Sequence, residues 1–506
     1  MAGAHRLTET TIAGLGWTAL AMGAQAVLQI VALVFLARLL SPQEFGVFAA
    51  ALVIGGFTTI FSELGVSPAI VQRKVLESRH VRSGFTLSVA LSLVVGLAIF
   101  LSADAIASFF HIPALADVVL VMSIGFPLQG ISTIAQSMAM RNFRFRWLAL
   151  VDATAFALGF VVIAPVLTVL DFGVYALVGA YLTQHAIKTV VLLFGSPHEK
   201  MPMLERKAVG ELLYFGAGFT FAKLGNFVAT QADNFVVGRW LGPTALGLYS
   251  NAYQLMASPA MLMGQALDRV LFPTMASVQH EPERLIRAYR SGVFVCTTVM
   301  LPVSVIIVIL APEIVRILLG PAWTDVTLPL QILGCGMLFR TSYKISDTIV
   351  RATGAVYARA WRQAIFAAAV LLGALVGQNW GLAGVATGVF LALALNFMQM
   401  AQLSLRLSGM RWRDFGQAHI SGLVFAVILG PSSFATATWL RPLGMGSVIV
   451  VAGVTLTCAV LLPILVWLRP HLFLGPDRVH LLGALAKVVP VRMRGGVALL
   501  QKRVSG

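Results

Sequence analysis

Apolar runs of about twenty residues, broken by short polar connections, repeat along this chain from near its start to residue 468. Read in order, the runs fall at 13–37, 45–70, 84–103, 115–138, 147–170, 173–195 and 208–237, then 245–275, 291–311, 326–350, 361–378, 382–404, 416–438 and 445–468. A helix of roughly twenty apolar residues crosses the ~30 Å of bilayer hydrocarbon, where every backbone polar group must be satisfied within the segment. The pattern therefore predicts an all-α polytopic membrane protein with about fourteen transmembrane helices. Composition agrees: 58% of the 506 residues are hydrophobic, 11% are charged, and the mean hydropathy is +0.88. A soluble chain would be roughly 45–50% apolar and about 25% charged.

The polar connections alternate in charge. One set holds "QRKVLESRHVR", "RNFRFR", "HEKMPMLERK", "ERLIRAYR", "RATGAVYARAWR" and "RLSGMRWR". With both chain ends and Lys188, that side carries 28 of the 36 Lys and Arg residues. The other set holds Arg38, Arg239, Arg316 and Arg441, beside Glu44, Asp104, Asp117, Asp171 and Asp325. The positive-inside rule then places both termini in the cytoplasm and makes the helix count even. The net charge of +16 is spent on topology, and nucleic acid is not expected as a partner. The "MAGAHRLTET" start precedes an apolar run too long for a signal-peptide core, so a retained first helix is expected. Cys296, Cys335 and Cys458 lie far apart inside apolar segments, with no metal or disulfide spacing.

The polar connections also repeat. "RLLSPQEFGVF" (38–48) returns as "RWLGPTALGLY" (239–249), aligning Arg38 with Arg239, Leu40 with Leu241, Pro42 with Pro243 and Gly46 with Gly247. "RSGF" (82–85) returns as "RSGV" (290–293), Asp117 meets Asp325, and Glu63–Pro68 meets Asp268–Pro273. Helices 1–6 thus match helices 7–12, with offsets growing from 201 to about 208. Six is even, so both halves enter from the same side: a parallel repeat about an axis along the membrane normal, as transporters use. The expected organisation is a six-helix lobe over 1–205, a second over 206–405, an extra helical pair over 406–468 and a basic cytoplasmic tail over 469–506. The tail interleaves apolar and basic residues, so it is expected either to lie on anionic lipid or to remain without fixed structure.

The stretch "DNFVVGRWLGPTALGLYSNAYQLMASP" (233–259), with "VQRK" after helix two and "FPTMASVQHEPERLIRAYR" (272–290), resembles the polysaccharide transporter family of the multidrug/oligosaccharidyl-lipid/polysaccharide flippase superfamily. The resemblance covers the twelve-helix core. It implies an inner-membrane flippase that moves undecaprenyl-pyrophosphate-linked oligosaccharide units by alternating access between two six-helix lobes. Exopolysaccharide, capsule or O-antigen synthesis would be served, with a polymerase or export machinery as candidate partners. It fixes neither the sugar nor the coupling ion.

Ionisable groups at membrane depth cost at least about 2.5–3.5 kcal/mol, so they mark cavities or pairs. Lys223, Arg269, Arg340 and Lys344 all fall in the second repeat. Lys223, Asn226, Thr230 and Asp233 form one polar stripe, and Arg340, Lys344 and Asp347 another. The equivalent faces of the first repeat are polar but uncharged: Gln25 and Gln29 on helix one, and Gln129, Ser132, Thr133 and Gln136 on helix four. The expectation is a cavity lined by helices 1, 4, 7 and 10. There Lys223, Arg340 and Lys344 would hold the pyrophosphate or acidic sugars, Arg by a bidentate fork and Lys as a point charge. The competing expectation pairs Lys344 with Asp347 or Arg340, and Lys223 with a nearby carboxylate, purely for packing. Arg269 is assigned either to ligand or to snorkelling at the interface. Glu63, Asp152, Asp233 and Asp347 are the candidates for coupling to a proton or sodium gradient. Asp152 has a competing assignment to the Arg141–Arg146 cluster, and His185 reads as a core residue rather than a relay.

No P-loop, "HExxH" or Cys/His metal spacing occurs, so neither an enzyme nor a metal site is expected. A multidrug exporter of the same superfamily is the first rival, disfavoured because a cationic second half repels cationic drugs. A membrane-bound glycan polymerase is the second; it would need a catalytic acid/base or metal site.

Overall fold

The computed structural model describes residue 23 and residues 25–468. The beginning of the first expected helix and the basic tail 469–506 lie outside them. The described residues are all-helical. In chain order the helices are α1 (Gln25–Leu39), α2 (Pro42–Glu63), α3 (Val66–Gln72), α4 (Ser78–Leu101), α5 (Ala103–Phe110), α6 (Leu115–Met122), α7 (Gly125–Arg141), α8 (Phe145–Phe156), α9 (Ala164–Val169) and α10 (Val174–Gly195). There follow α11 (Arg206–Val236), α12 (Gly242–Ser277), α13 (Pro282–Leu318), α14 (Thr327–Cys335), α15 (Met337–Ala352), α16 (Val356–Gly377), α17 (Gly381–Ser408), α18 (Trp412–Leu440) and α19 (Ser447–Leu468).

Among the described residues, ten helical stretches are long and apolar enough to cross a membrane. Two of them, Arg206–Ser277 with 72 residues and Val356–Ser408 with 53, are each more than twice the ~20 residues one crossing needs. Most charged connections fall at helix ends, but the connection over 283–290 is helical and belongs to α13, which starts at Pro282 rather than at 291; local chemistry explains the finer breaks. Ser41 caps α2: its hydroxyl accepts from the Glu44 backbone N–H at 3.3 Å, while the Glu44 carboxylate accepts from the Ser41 N–H at 2.7 Å. This reciprocal box, followed by Pro42 at the first helical position, fixes where the helix begins.

The expected single helix over 45–70 is two helices. Leu64 and Gly65 both take left-handed backbone, with φ of 38° and 68°, and the chain restarts as α3 at a new angle. Gly65 can do this because a side chain there would strike the backbone of Gly216, so the residue serves both the turn and the close approach. Span 147–170 is likewise interrupted, by a π-helical turn over Ala157–Ile163. The expected helix over 326–350 breaks at Gly336, between α14 and α15.

The chain divides into two compact units. The first holds the described residues up to Asn251 with Leu318–Trp323 and Val370–Val385; the second holds Ala252–Ile317, Thr324–Ala369 and the described residues from Ala386. This division falls inside α12, whereas the repeat places a boundary at residue 205. Helix α11 belongs to the first unit because it packs along α2, α3 and α4. In the second unit, α18 and α19 pack on each other and on α13. Gly422 sits so close to the Thr297 carbonyl that a methyl group would overlap it. Arg441, at the end of α18, forks onto the buried Glu313 of α13 at 2.8 and 2.9 Å.

Candidate functional site

In the first unit, α2 and α11 run antiparallel, and three polar side chains meet at the end of α2. The close approach of Gly65 to Gly216 sets the register. Lys223 follows Gly216 by seven residues, two turns along the same helix face, and so arrives beside Glu63. The two form an ion pair. Gln129 of α7 donates to the second oxygen of the Glu63 carboxylate at 3.3 Å. One turn along α11 from Lys223, Phe227 packs on Phe57 of α2 at 5.9 Å between ring centroids. Toward the basic connections the seam continues in charge: Glu211 of α11 takes both Arg73 and His80. Arg141 of α7 donates to the carbonyls of Ile70 and Val71 at 3.0 and 3.2 Å. Lys223 thus follows the packing expectation, with a carboxylate for a partner, although its side chain is still 42% exposed.

In the second unit the polar face of α15 lies against α12. Arg340 donates to the Tyr253 hydroxyl at 2.5 Å, its guanidinium 4.8 Å from that ring's centre. Asp268 accepts from Thr348 at 2.6 Å and from Arg351. Asp347 is held by Arg351 at 3.1 Å and also by Arg359. Both carboxylates near Lys344 are therefore committed to arginines. The Lys344 ammonium makes no hydrogen bond and meets no carboxylate at ion-pair distance among the described residues. Its side chain lies over Gly264, where a methyl group would stand 3.1 Å from Nζ. The packing expectation, Lys344 with Asp347 or Arg340, is not what this face contains. Half-buried and unpaired, Lys344 is a point charge open to an anionic ligand. Arg269 is half-buried on α12, beside Asp268.

The remaining polar candidates divide by exposure. Gln25 and Gln29 of α1, and Gln136 of α7, are half-buried, and Asn226 is exposed. Thr230 bonds back to the Asn226 carbonyl at 2.9 Å. Ser132 and Thr133 are buried and bond back to the Gln129 carbonyl at 3.0 and 2.8 Å, which leaves their hydroxyls engaged with their own helix. Asp152 pairs with Lys188 at 2.8 Å rather than with the Arg141–Arg146 cluster. Asp233 is buried and accepts from the Tyr249 hydroxyl at 2.8 Å. His185 packs against Tyr181 with ring centroids 4.4 Å apart and planes tilted by 59°. Among the described residues no group of three His, Cys, Asp or Glu side chains could hold a metal ion.

Sequence reasoning passed over Tyr253, Thr348 and Arg351. Arg351 was counted with the basic connection, yet it stands seven residues after Lys344 on α15. That i, i+7 spacing was the signal that could have placed it on the face.

Against known proteins, the family described as "Polysaccharide biosynthesis protein" matches residues 35–328. The succinoglycan biosynthesis transport protein ExoT of Rhizobium meliloti (strain 1021) is 29% identical over 62% of this chain, and the match spans 64% of ExoT's length. The lipopolysaccharide biosynthesis protein WzxC of Escherichia coli (strain K12) is 27% identical over 77% of this chain and 80% of its own. Among solved structures, the lipid II flippase MurJ in an inward closed conformation superposes with a TM-score of 0.72 at 15% identity, covering 89% of this chain and 98% of MurJ. An inward-facing multidrug resistance MATE transporter gives 0.58 at 15% identity, over 76% and 96%. These two likenesses establish the fold.

Proposed function

The chain belongs to the polysaccharide biosynthesis protein family, and from that premise we propose that it is a flippase for lipid-linked oligosaccharide units in the bacterial inner membrane. It is a transporter rather than an enzyme. The observation that carries the reading, beyond family, is Lys344, which among the described residues has no carboxylate at ion-pair distance on a face where both nearby carboxylates are held by arginines. Holding an uncompensated ammonium at membrane depth costs at least about 2.5 kcal/mol, a cost that an anionic ligand would offset. The lipid-linked glycan supplies such a group in its pyrophosphate or its acidic sugars. Arg340, beside it and partly engaged by Tyr253, adds a planar fork suited to phosphate oxygens. Gln25, Gln29, Gln129, Gln136, Asn226 and Thr230 provide amide and hydroxyl groups for sugar hydroxyls or water.

The repeat supports two lobes over 1–205 and 206–405, with 406–468 as an added pair. Counting the two composite spans as two crossings each, and adding α1 and the α14–α15 segment, returns fourteen helices. With the basic connections inside, both termini lie in the cytoplasm. Transport is driven by a proton or sodium gradient, with Glu63 and Asp233 as the carboxylates best placed to take part. Glu63 is ion-paired with Lys223, and Asp233 is buried against a phenol. A polymerase or export machinery stands downstream.

The test is a deletion strain of the source bacterium. Surface polysaccharide should fall while undecaprenyl-linked units accumulate on the cytoplasmic leaflet. The wild-type chain should restore both, and Lys344→Gln should not. Normal polysaccharide without accumulation would refute the reading. A flip rate indifferent to both gradients would remove the ion coupling alone.

A further inference from the structure

The duplicated stretch that opens each repeat has a structural use apart from its homology: its two copies touch each other. Pro42 and Pro243 each begin a helix, and Gly46 and Gly247 follow one turn later. A methyl group on Gly46 would overlap the Pro243 carbonyl and stand 3.0 Å from the Gly247 nitrogen. A methyl group on Gly247 would overlap the Pro42 carbonyl and stand 3.0 Å from the Gly46 nitrogen. This exchange of identical contacts is what a two-fold axis produces between two subunits, here inside one chain.

The surroundings repeat the exchange. The fully buried Trp323 donates from its indole N–H to the Ala37 carbonyl at 2.7 Å and meets Phe45 edge-on at 5.1 Å. At the repeat offset, the counterpart of Ala37 is Gly238, with Arg239 next to it. Gly238 lies against Phe110, while Arg239 contacts His111 and stands 5.1 Å over the Phe109 ring. Each copy's corner is thus held by the connection between the third and fourth helices of the other copy. Backbone meets backbone at the centre, so the contact there depends on fit.

We propose that the duplicated corner is a reciprocal clasp, in which Gly46 and Gly247 lock the two copies together at the exterior end of the molecule and must separate for that end to open. The proposal rests on the transport reading for the need to open, and on the charge asymmetry for the exterior assignment. Neither glycine accepts a side chain, and Trp323 and Arg239 hold the two outer edges.

The experiment replaces Cys296, Cys335 and Cys458 with Ser and puts one reporter cysteine in place of Leu40 or Leu246, both buried. Whole cells are treated with a membrane-impermeant maleimide. The reporter should react slowly compared with one at the exposed Met445. The rate should rise at least about tenfold when Gly46→Ala, Gly247→Ala or Trp323→Phe shifts the opening equilibrium. Trp323→Phe keeps a ring beside Phe45 and loses only the hydrogen bond, so it carries the test if a glycine variant fails to fold. Equal rates with and without these substitutions, or a parent reporter as fast as Met445, would overturn the clasp. In a second arm, His111→Cys/Arg239→Cys is bridged by a reducible bifunctional thiol reagent. Transport should stop and return on reduction; transport by the bridged protein would overturn the proposal. Labelling needs no substrate. Protected reporters in a chain that moves no glycan would therefore keep the clasp and remove the flippase reading.

Discussion

An ammonium held in a protein face without a counter-ion lowers stability and persists where function needs it. Among the described residues Lys344 has no carboxylate at ion-pair distance, because Arg351 and Arg359 occupy Asp268 and Asp347. Lys344→Gln should lower glycan export by about tenfold or more, the worth of one charge-assisted contact of about 1.5–3 kcal/mol. Thermal stability of the purified protein should be unchanged or higher. Lys344→Arg should retain most export, and a fall in stability equal to the loss of export would mark the lysine as structural instead. Lys223 is a different case. With Glu63 as its partner, both single substitutions to Ala should destabilise, and the double substitution should cost less than their sum. A double-mutant cycle should read a coupling of about 1 kcal/mol, modest because Lys223 is 42% exposed. Additive costs would show that the pair contributes nothing. The sequence placed both lysines in polar stripes through helical periodicity. It could not say which was paired, because Glu63 is 160 positions from Lys223 and meets it only through the Gly65–Gly216 approach.

At the level of elements, most of the architecture was legible. Most helix ends fall within a few residues of the hydrophobic boundaries because apolar length and flanking charge act locally along the chain, while α13 runs nine and seven residues past the expected 291–311 and α4 begins six residues before 84. The breaks were not legible. The turn at Leu64–Gly65 occurs inside an apolar run, and what bends it is contact with α11, a tertiary cause. The same limit applied to Arg441, assigned to a connection by its charge, though it caps the α18–α13 contact through Glu313. Glu313 is buried, with 8% of its side chain exposed, so removing its partner leaves a carboxylate with little solvent. Arg441→Ala should cost about 2 kcal/mol, discounted from the value for fully buried pairs because the arginine itself is a third exposed. A melting curve in detergent should show the loss, and adding Glu313→Gln should recover part of it. No recovery would mean that the arginine acts through packing alone.

The whole molecule carries its orientation in the placement of charge. With 28 of 36 basic residues in alternate connections and at the chain ends, inserting the chain the other way would carry many lysines and arginines across the bilayer. The proposed orientation rests on this distribution of charge and not on family resemblance. It makes a prediction that depends on no substrate. Single cysteines placed at Phe172 or Met445, exposed and in the sparsely basic connections, should react with an impermeant thiol reagent in intact cells. Cysteines at Met201 or Val356, more exposed still but in the basic connections, should react only after the inner membrane is permeabilised. The four positions sample crossings before and after the composite span Arg206–Ser277. A consistent pattern requires an even number of crossings between Met201 and Val356, so with α13 and the α14–α15 segment each crossing once, that span must cross the membrane twice. Reactivity of Phe172 and Val356 from one side, with Met201 and Met445 from the other, would reduce that stretch to one crossing and break the parallel repeat. The clasp between Gly46 and Gly247 would then have no shared exterior end to close.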